Sequence, residues 1–440
     1  MAKHAAVLDV QEVPTHPLNW LMLSLQHVFA MFGATVLVPL LTGLNTSVAL
    51  VASGVGTLIF LAVTRFKVPT YLGSSFAYIA PIIAVSERWG VEDALIGGMV
   101  AGLVYGLVSL LIRYTGAAWL LRLLPPVVIG PVIMVIGLSL APTAVNMAMN
   151  GADGKYNGLY FLVAMVTLGV TLLAMTYLKG MWSTIPILFG ITVGYLVAAS
   201  VGIIDFKPLQ QATFFHVPDF TIPFLNYTPS WNTAALLLIV PVTLVTLTEH
   251  IGEQKVTSRI IGRETLLDPG MHRTVLGDGI AKTVASMLGG PPVTTYGENN
   301  GVMSITRVYS VFVLGGAAVL AISFGFLGYV EGFIKTIPTP VMGGISILLF
   351  GVIASNGLRT LTESKIDLAD KRNLTITAVI LVTGIGGAAL KIGNFSLEGM
   401  ALATILGIIL NLILPKTTEQ VEETAETTEN STTQSVANNF

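Results

Sequence analysis

The chain has 440 residues, of which 53% are hydrophobic and only 10% are charged, whereas a soluble domain carries about 25% charged residues. Its 22 Lys and Arg and 24 Asp and Glu side chains are too few to solvate a protein of this size, and a net charge of −2 offers nothing to nucleic acid. These numbers exclude a soluble enzyme, a disordered protein and a nucleic-acid binder. They indicate an all-α polytopic protein of the lipid bilayer.

Fourteen apolar segments follow one another along the chain. Eleven are uninterrupted and long enough to cross a bilayer, near 20–41, 48–64, 94–112, 118–140, 159–178, 183–203, 233–253, 311–330, 341–356, 374–390 and 399–414. Three are interrupted: 68–86 and 291–306 are broken by Pro and Gly, and 274–289 carries Asp278 and Lys282. Together they predict fourteen transmembrane segments.

The Lys and Arg residues set the predicted orientation, because cytoplasmic loops carry an excess of them. With the N-terminus inside and fourteen crossings, both termini are cytoplasmic and only five basic residues face outwards: Arg88, Lys155, Lys207, Lys335 and Lys391. The inner side receives Lys3, Arg65, Lys67, Arg113, Arg122, Lys179, Lys255, Arg259, Arg263, Arg273, Arg307, Arg359, Lys365, Lys371, Arg372 and Lys416. The region 416–440 is rich in Thr, Glu and Asn and predicts a disordered cytoplasmic tail.

Three pairs of landmarks recur in the same order in the two halves of the chain. Gln26-His27 corresponds to Glu249-His250, and Pro-Thr-Tyr-Leu-Gly73 corresponds to Pro-Val-Thr-Thr-Tyr-Gly297. Pro126-Val127 with Gly130 and Gly137 corresponds to Pro340-Val341 with Gly344 and Gly351. Seven spans per half is an odd number, so the pattern predicts two inverted repeats, as in secondary transporters.

The broken third and tenth spans occupy corresponding positions in the two repeats, and such pairs mark transporter binding sites. Each begins with Pro and a β-favouring stretch and then reaches a Gly. We therefore expect a short β-strand followed by a half-helix in each, with the two strands paired near the bilayer centre. The free backbone amides near Phe76 and Gly297 would then be donors for a substrate carbonyl.

Carboxylates stand beside these breaks. Glu249 lies late in an apolar run, Glu298 directly follows Gly297, and Glu253 shares a helix face with Glu249. Ionisable groups inside a span are costly and indicate function. Two acceptors beside two sets of amide donors suit a planar molecule with alternating N–H and C=O edges, and uracil, xanthine and urate all fit.

The same groups offer a route for protons. A carboxyl that is protonated in one conformation and not in another links proton movement to the transport cycle. Glu249, Glu298, Glu253 and His27 are the candidates, although His27 also fits an interhelical hydrogen bond. The spacing of Asp278 and Lys282 predicts a self-neutralising structural pair.

Nothing in the sequence predicts an enzyme or a bound cofactor. It has no cysteine, no phosphate-binding loop and no nucleophile elbow, and its carboxylates are too few for a cation site. We expect no metal and no cofactor.

Four segments resemble the nucleobase–ascorbate transporter family, and within it the bacterial uracil permeases. Glu298-Asn299-Asn300-Gly301 followed by Thr306-Arg307 fits the family signature. The stretches 26–35, 71–78 and 294–299 resemble the first, third and tenth spans of uracil permeases. The resemblance covers about residues 17–415.

The resemblance implies a uracil–proton symporter of the cytoplasmic membrane that forms a homodimer. Glu249 and Glu298 would bind the base, the backbone near Phe76 and Gly297 would add hydrogen bonds, and Ala34 and Tyr296 would line the pocket. The implied division is an N-terminal segment (1–16), a core domain (17–115 and 233–333), a gate domain (116–204 and 334–415), an extracellular connection (205–232) and the tail (416–440).

One departure from the family pattern concerns the eighth span. Uracil permeases have the pattern Glu-His-x-Gly-His in this span. In this chain the Glu249-His250 pair is followed by Ile251-Gly252-Glu253, so Glu253 stands where the pattern has its second His. Glu253 must replace that histidine in proton coupling, or the coupling route differs. The alternatives to uracil are a purine base, such as xanthine or urate, and an anion carried on the same scaffold. An acidic residue at position 298 favours uracil within the family.

Overall fold

The computed structural model describes residues 6–415 except 152, 180, 181, 183, 184, 393 and 394. The predicted tail at 416–440, and Lys3 and Lys416 of the orientation argument, lie outside the described residues. The first half contains the helices α1 (Pro17–Thr42), α2 (Thr46–Val63), α3 (Ile79–Trp89), α4 (Val91–Thr115), α5 (Ala118–Leu123), α6 (Pro126–Ser139), α7 (Ala141–Met149), α8 (Gly158–Tyr177), α9 (Pro186–Ser200) and α10 (Lys207–Gln210).

The second half contains α11 (Thr233–Ile239), α12 (Val242–Ile261), α13 (Met271–Met287), α14 (Gly297–Thr306), α15 (Val311–Gly325), α16 (Gly328–Thr336), α17 (Thr339–Glu363), α18 (Lys371–Ile385) and α19 (Gly399–Ile413). A 3₁₀ turn spans Phe76–Tyr78, and a π turn spans Leu266–Gly270. Four short strands complete the fold: β1 (Leu72–Ser74), β2 (Val293–Thr295), β3 (Ala389–Ile392) and β4 (Phe395–Glu398).

Within the described residues, seven helical stretches are long and apolar enough to cross a membrane. They are Pro17–Thr42, Thr46–Val63, Val91–Thr115, Pro126–Met149, Gly158–Tyr177, Thr233–Ile261 and Thr339–Glu363. Each of the other predicted segments also contains a helix, but a shorter one. A multi-pass membrane protein is therefore confirmed, and the number of crossings stays a prediction.

Helix ends follow local sequence signals. Pro17 occupies the first turn of α1, where its missing N–H costs nothing, and Gly43 ends the helix with a φ of 75° that suits glycine. The side chain of Asn45 caps α2 by accepting a hydrogen bond from the Val48 N–H at 3.0 Å. These signals fix where the first two helices turn back on each other.

The helices pack as two groups. In one group, α13 packs against α4 and α2, and α15 packs against α2 and α1. In the other, α17 packs against α6, α7 and α8, and α18 packs against α19 and α6. Small residues permit the closest contacts: a Cβ on Gly137 of α6 would lie 2.2 Å from the carbonyl oxygen of Phe350 on α17.

The strands β1 and β2 are antiparallel partners, with Gly73 opposite Thr294. All six of their residues are buried, and each strand leads into a helical turn, the 3₁₀ turn and α3 on one side and α14 on the other. Their pairing satisfies backbone groups that could not be left open inside a membrane. The pairing of β3 with β4 was not predicted, because their residues were assigned to the end of the span 374–390 and to the loop that follows it.

Candidate functional site: a cavity between the two helix groups

A cavity of about 630 Å³ lies between the two helix groups. Its lining residues come from α1, the 3₁₀ turn, α12, β2 and α14, and also from α6, α8, α9 and α17. Five of the residues predicted to bind substrate line it: Phe76, Glu249, Tyr296, Gly297 and Glu298. Glu253 lines it as well. The structure therefore brings the predicted site together from segments more than 200 positions apart.

Glu298 lies in the first turn of α14, the half-helix that begins at Gly297. The positive end of a helix dipole favours a carboxylate at this place, and the first-turn N–H groups have no partner within the helix. Both a carboxylate acceptor and amide donors are thus presented to the same side of the cavity. A ring with adjacent N–H and C=O groups requires such an acceptor and such donors side by side.

Two asparagines of the signature hold α14 in place. The side chain of Asn299 contacts His27 on α1 twice, at 3.0 Å to the ring Nδ1 and at 3.2 Å to the backbone carbonyl. On the other side, Asn300 Nδ2 donates to Glu253 Oε2 at 2.8 Å, and Thr257 Oγ1 donates to Asn300 Oδ1 at 3.1 Å. The half-helix α14, which carries Glu298, is therefore held between α1 and α12. The sequence pointed to these asparagines only as members of the signature, without a role.

Glu249 lies on α12 and lines the cavity from the neighbouring helix. Within the described part of the chain, its buried Oε2 atom has no hydrogen-bond donor. A buried acceptor without a donor is costly, so this oxygen is suited to receive an N–H group from a bound molecule. Glu253 differs, because Asn300 already occupies one of its oxygens.

The aromatic residues define the walls. Tyr296 donates from its hydroxyl to the Ser74 carbonyl at 3.0 Å, so its ring is fixed across the strand pair. Phe76 contacts Phe350 of α17 edge to face, with ring centroids 5.7 Å apart. This contact joins the 3₁₀ turn to α17 at the edge of the cavity.

Two predicted residues lie away from the cavity. Ala34 is fully buried in α1 and is not one of the residues that line the cavity; its neighbour Thr35 instead donates to the Tyr296 hydroxyl at 3.3 Å. His27 is buried and bound to Asn299, as an interhelical hydrogen bond requires. Its role in proton movement stays a prediction.

An ion-pair network that the sequence did not predict lies at the exposed rim of the cavity. Glu363 of α17 accepts from Arg359 Nε at 2.6 Å and pairs with Arg259 of α12. Arg359 and Glu363 both line the cavity. The network links the two helix groups, but its side chains are partly exposed, so we expect only a small contribution to stability.

A model of the permease family matches residues 18–393. The chain belongs to this permease family, the nucleobase–ascorbate transporters. The predicted resemblance is thereby confirmed, and membership of the nucleobase–ascorbate transporters makes the chain a transport protein and not an enzyme.

Similar curated members of the nucleobase–ascorbate transporters are uracil permeases. That of Bacillus caldolyticus is 57% identical over 417 residues, which cover 94% of this chain and 96% of the relative. That of Bacillus subtilis (strain 168) is 53% identical over 426 residues, covering 96% of this chain and 98% of the relative. The similarity therefore extends over nearly the whole of each protein.

A similar solved structure is the transmembrane domain of a bicarbonate transporter, BicA, from a cyanobacterium. The two chains superpose with a TM-score of 0.63, covering 91% of this chain and 98% of the other at 14% sequence identity. At that identity the likeness shows a shared fold and nothing about the substrate.

Proposed function

We propose that this chain imports uracil across the cytoplasmic membrane together with protons. The observation that carries the proposal is the placement of Glu249 and Glu298, which reach one cavity from two different helices beside the amide-bearing end of α14. The similar relatives named uracil permeases support uracil as the substrate.

The proposed binding mode follows from the chemistry of the base. The two ring N–H groups of uracil donate to the carboxylates of Glu249 and Glu298, and its carbonyls accept from the backbone N–H groups of Phe76 and Gly297. Tyr296 limits the space around the flat ring, whereas the role proposed for Ala34 at the pocket would require a rotation of α1 that brings it to the cavity. A cavity of about 630 Å³ is ample for a molecule of this size.

The proposed transport cycle uses the two helix groups as domains. Fourteen spans form two inverted repeats, with strands in the broken spans 3 and 10. Residues 17–115 and 233–333 form the core, and 116–204 and 334–415 form the gate. The position of the cavity between the groups supports alternating access by movement of one against the other. Residues 1–16, 205–232 and 416–440 lie outside both domains.

Two further features belong to the proposal. The excess of Lys and Arg on one side supports cytoplasmic N- and C-termini. A homodimer is proposed from the family resemblance alone, and cross-linking of the protein in native membranes tests it.

The test of the main proposal is uptake of radiolabelled uracil into proteoliposomes, with and without an inward proton gradient. Concentrative uptake that a protonophore abolishes is the expected result. Uptake that does not depend on the proton gradient would support uracil as the substrate but contradict proton coupling. Unlabelled xanthine and urate serve as competitors, and strong inhibition by either would favour the purine alternative. The two cavity carboxylates would repel an anion, which disfavours the anion alternative. An ionic current carried by bicarbonate would instead support that alternative.

Glu253→Gln tests whether the coupling proton must pass Glu253 as well as Glu249. We expect this variant to retain exchange of external for internal uracil, because Glu249 and Glu298 remain, but to lose most of its concentrative uptake, by about 10-fold or more. Both activities are measured in the same proteoliposomes. Equal loss of exchange and of concentrative uptake would instead make Glu253 a part of the binding site.

A further inference from the structure

A group of charged side chains lies behind the cavity and is not used by the proposed binding mode. Lys282 and Asp278 of α13 are fully buried, and the ammonium Nζ lies 3.5 Å from Asp278 Oδ2. The same Asp278 oxygen lies 3.6 Å from Nδ1 of His250, which follows Glu249 on α12. The predicted ion pair is thus confirmed, but it is not isolated from α12.

The ammonium of Lys282 contacts α12 as closely as it contacts Asp278. Its Nζ donates to Thr246 Oγ1 at 3.3 Å and lies 3.8 Å above the ring of Tyr105 on α4. The Tyr105 hydroxyl also donates to Thr246 Oγ1, at 2.9 Å. Because Thr246 lies three residues before Glu249, the two side chains share a face of α12, and the Lys282 ammonium therefore reaches α12 within one helical turn of Glu249.

We propose that Lys282 is a positioning residue for transport, a fixed positive charge shared by Asp278 and Glu249 that sets how readily Glu249 exchanges the coupling proton. The inference rests on the proposed uracil–proton symport. It assigns to α13 a part in coupling, whereas the spacing of Asp278 and Lys282 alone suggested a structural pair.

The physical argument is one of charge balance at a buried site. A buried charge is tolerated only when opposite charges and hydrogen bonds surround it, and its field is poorly screened there. The ionisable groups that face Lys282 are Glu249 and His250 from α12, Asp278 from α13, Tyr105 from α4 and Tyr78 from the 3₁₀ turn. Helix α2, which packs on α13, has no charged residue. Glu249 also faces two further carboxyls, Glu253 of its own helix and Glu298 of α14, so Lys282 is the cation of a group that contains four carboxyls.

The sign of each effect follows. Removing the cation with Lys282→Met makes the ionised form of Glu249 less favourable, so the carboxyl holds its proton to a higher pH and uptake persists to a higher pH. Removing the neighbouring anion with Asp278→Asn leaves Lys282 acting on Glu249 alone, so uptake declines at a lower pH. A neighbouring charge of opposite sign typically shifts proton binding by about 1 pH unit or more.

The experiment measures initial uracil uptake against external pH for the full-length wild type, Lys282→Met, Asp278→Asn and the double variant, at a clamped membrane potential. We expect the half-maximal pH to move up by about 1 unit in Lys282→Met, to move down in Asp278→Asn, and to return to within about 0.3 unit of the wild type in the double variant. Lys67→Met is the matched control, because Lys67 pairs with Asp268 at 2.7 Å on the exposed surface, away from the cavity.

Each outcome decides. Opposite shifts that cancel in the double variant support the inference, since a loss of packing has no reason to change sign. Unchanged profiles in Lys282→Met and Asp278→Asn, with lower amounts of folded protein, would make the pair structural and overturn it. If Lys282→Met does not reach the membrane, the test rests on Asp278→Asn alone. A lower half-maximal pH of uptake in that variant then supports the inference, and an unchanged one overturns it. A wild type without any pH dependence overturns proton coupling itself, whereas a pH-dependent wild type with unshifted variants overturns only the role of Lys282.

Discussion

Glu298→Gln is expected to lower uracil uptake by about 100-fold or more while leaving folded protein in the membrane. The amide keeps the size of the side chain but turns one of its two acceptors into a donor, which then faces an N–H group of the base. A site whose polar groups are left without partners loses several kcal/mol of binding, and about 2.7 kcal/mol corresponds to 100-fold. The expected loss is therefore large for a substitution of a single atom.

Uptake by purified Glu298→Gln in proteoliposomes measures the loss, and its thermal unfolding midpoint reports on the fold. Glu92→Gln is the matched control, because Glu92 also lies in the first turn of a helix, α4, but at an exposed end far from the cavity. We expect wild-type uptake from the control. Uptake by Glu298→Gln within about threefold of the wild type would remove Glu298 from the binding site. Glu249→Gln is expected to behave in the same way.

Gly73→Ala is expected to abolish uptake through the shape of the strand pair. A Cβ at this position would lie 2.3 Å from two carbon atoms of the Tyr296 ring, and only glycine permits that approach. The ring has little freedom to yield, because its hydroxyl is bound to the Ser74 carbonyl and its backbone N–H to the Tyr71 carbonyl at 3.0 Å. Either the ring enters the cavity or the strands separate, at a cost of about 1–3 kcal/mol.

Binding of uracil to the detergent-purified variant and its unfolding midpoint measure both effects. The matched control is Gly106→Ala on α4, where a Cβ would meet nothing within 4 Å. We expect the control to bind and transport normally, since alanine is also the better helix former. Normal binding by Gly73→Ala would mean that the strands and Tyr296 can move apart without affecting the site.

Some features of the site could be read from the sequence because they break a local rule. A carboxylate within an apolar run, such as Glu249, and a Pro and Gly in a span both stand out without any knowledge of the fold. The position of β1 and β2 also followed from such interruptions. The residues 26–35 were harder to place, and Ala34 lies away from the cavity because the rotation of α1 about its axis depends on its packing partners.

Contacts between side chains on distant helices could not be predicted. The spacing of Asp278 and Lys282 identified a pair on one helix face, but the approach of Lys282 to Thr246 and Tyr105 depends on how α13 lies against α12 and α4. The bonds from Asn299 to His27 and from Asn300 to Glu253 depend in the same way on the angle of α14. The family signature named these residues, and only the structure gave their partners.

The pairing of β1 with β2 has a consequence for the biogenesis of the protein. Ser74 and Tyr296, joined across this pair, are 222 positions apart, so most of the second half must be synthesised and inserted before the first strand can find its partner. Until then the backbone of β1 has open hydrogen-bonding groups at the depth of the bilayer, where lipid cannot satisfy them. An N-terminal fragment that ends before residue 293 should therefore be retained by the insertion machinery or degraded, and co-expression of the missing fragment should rescue it.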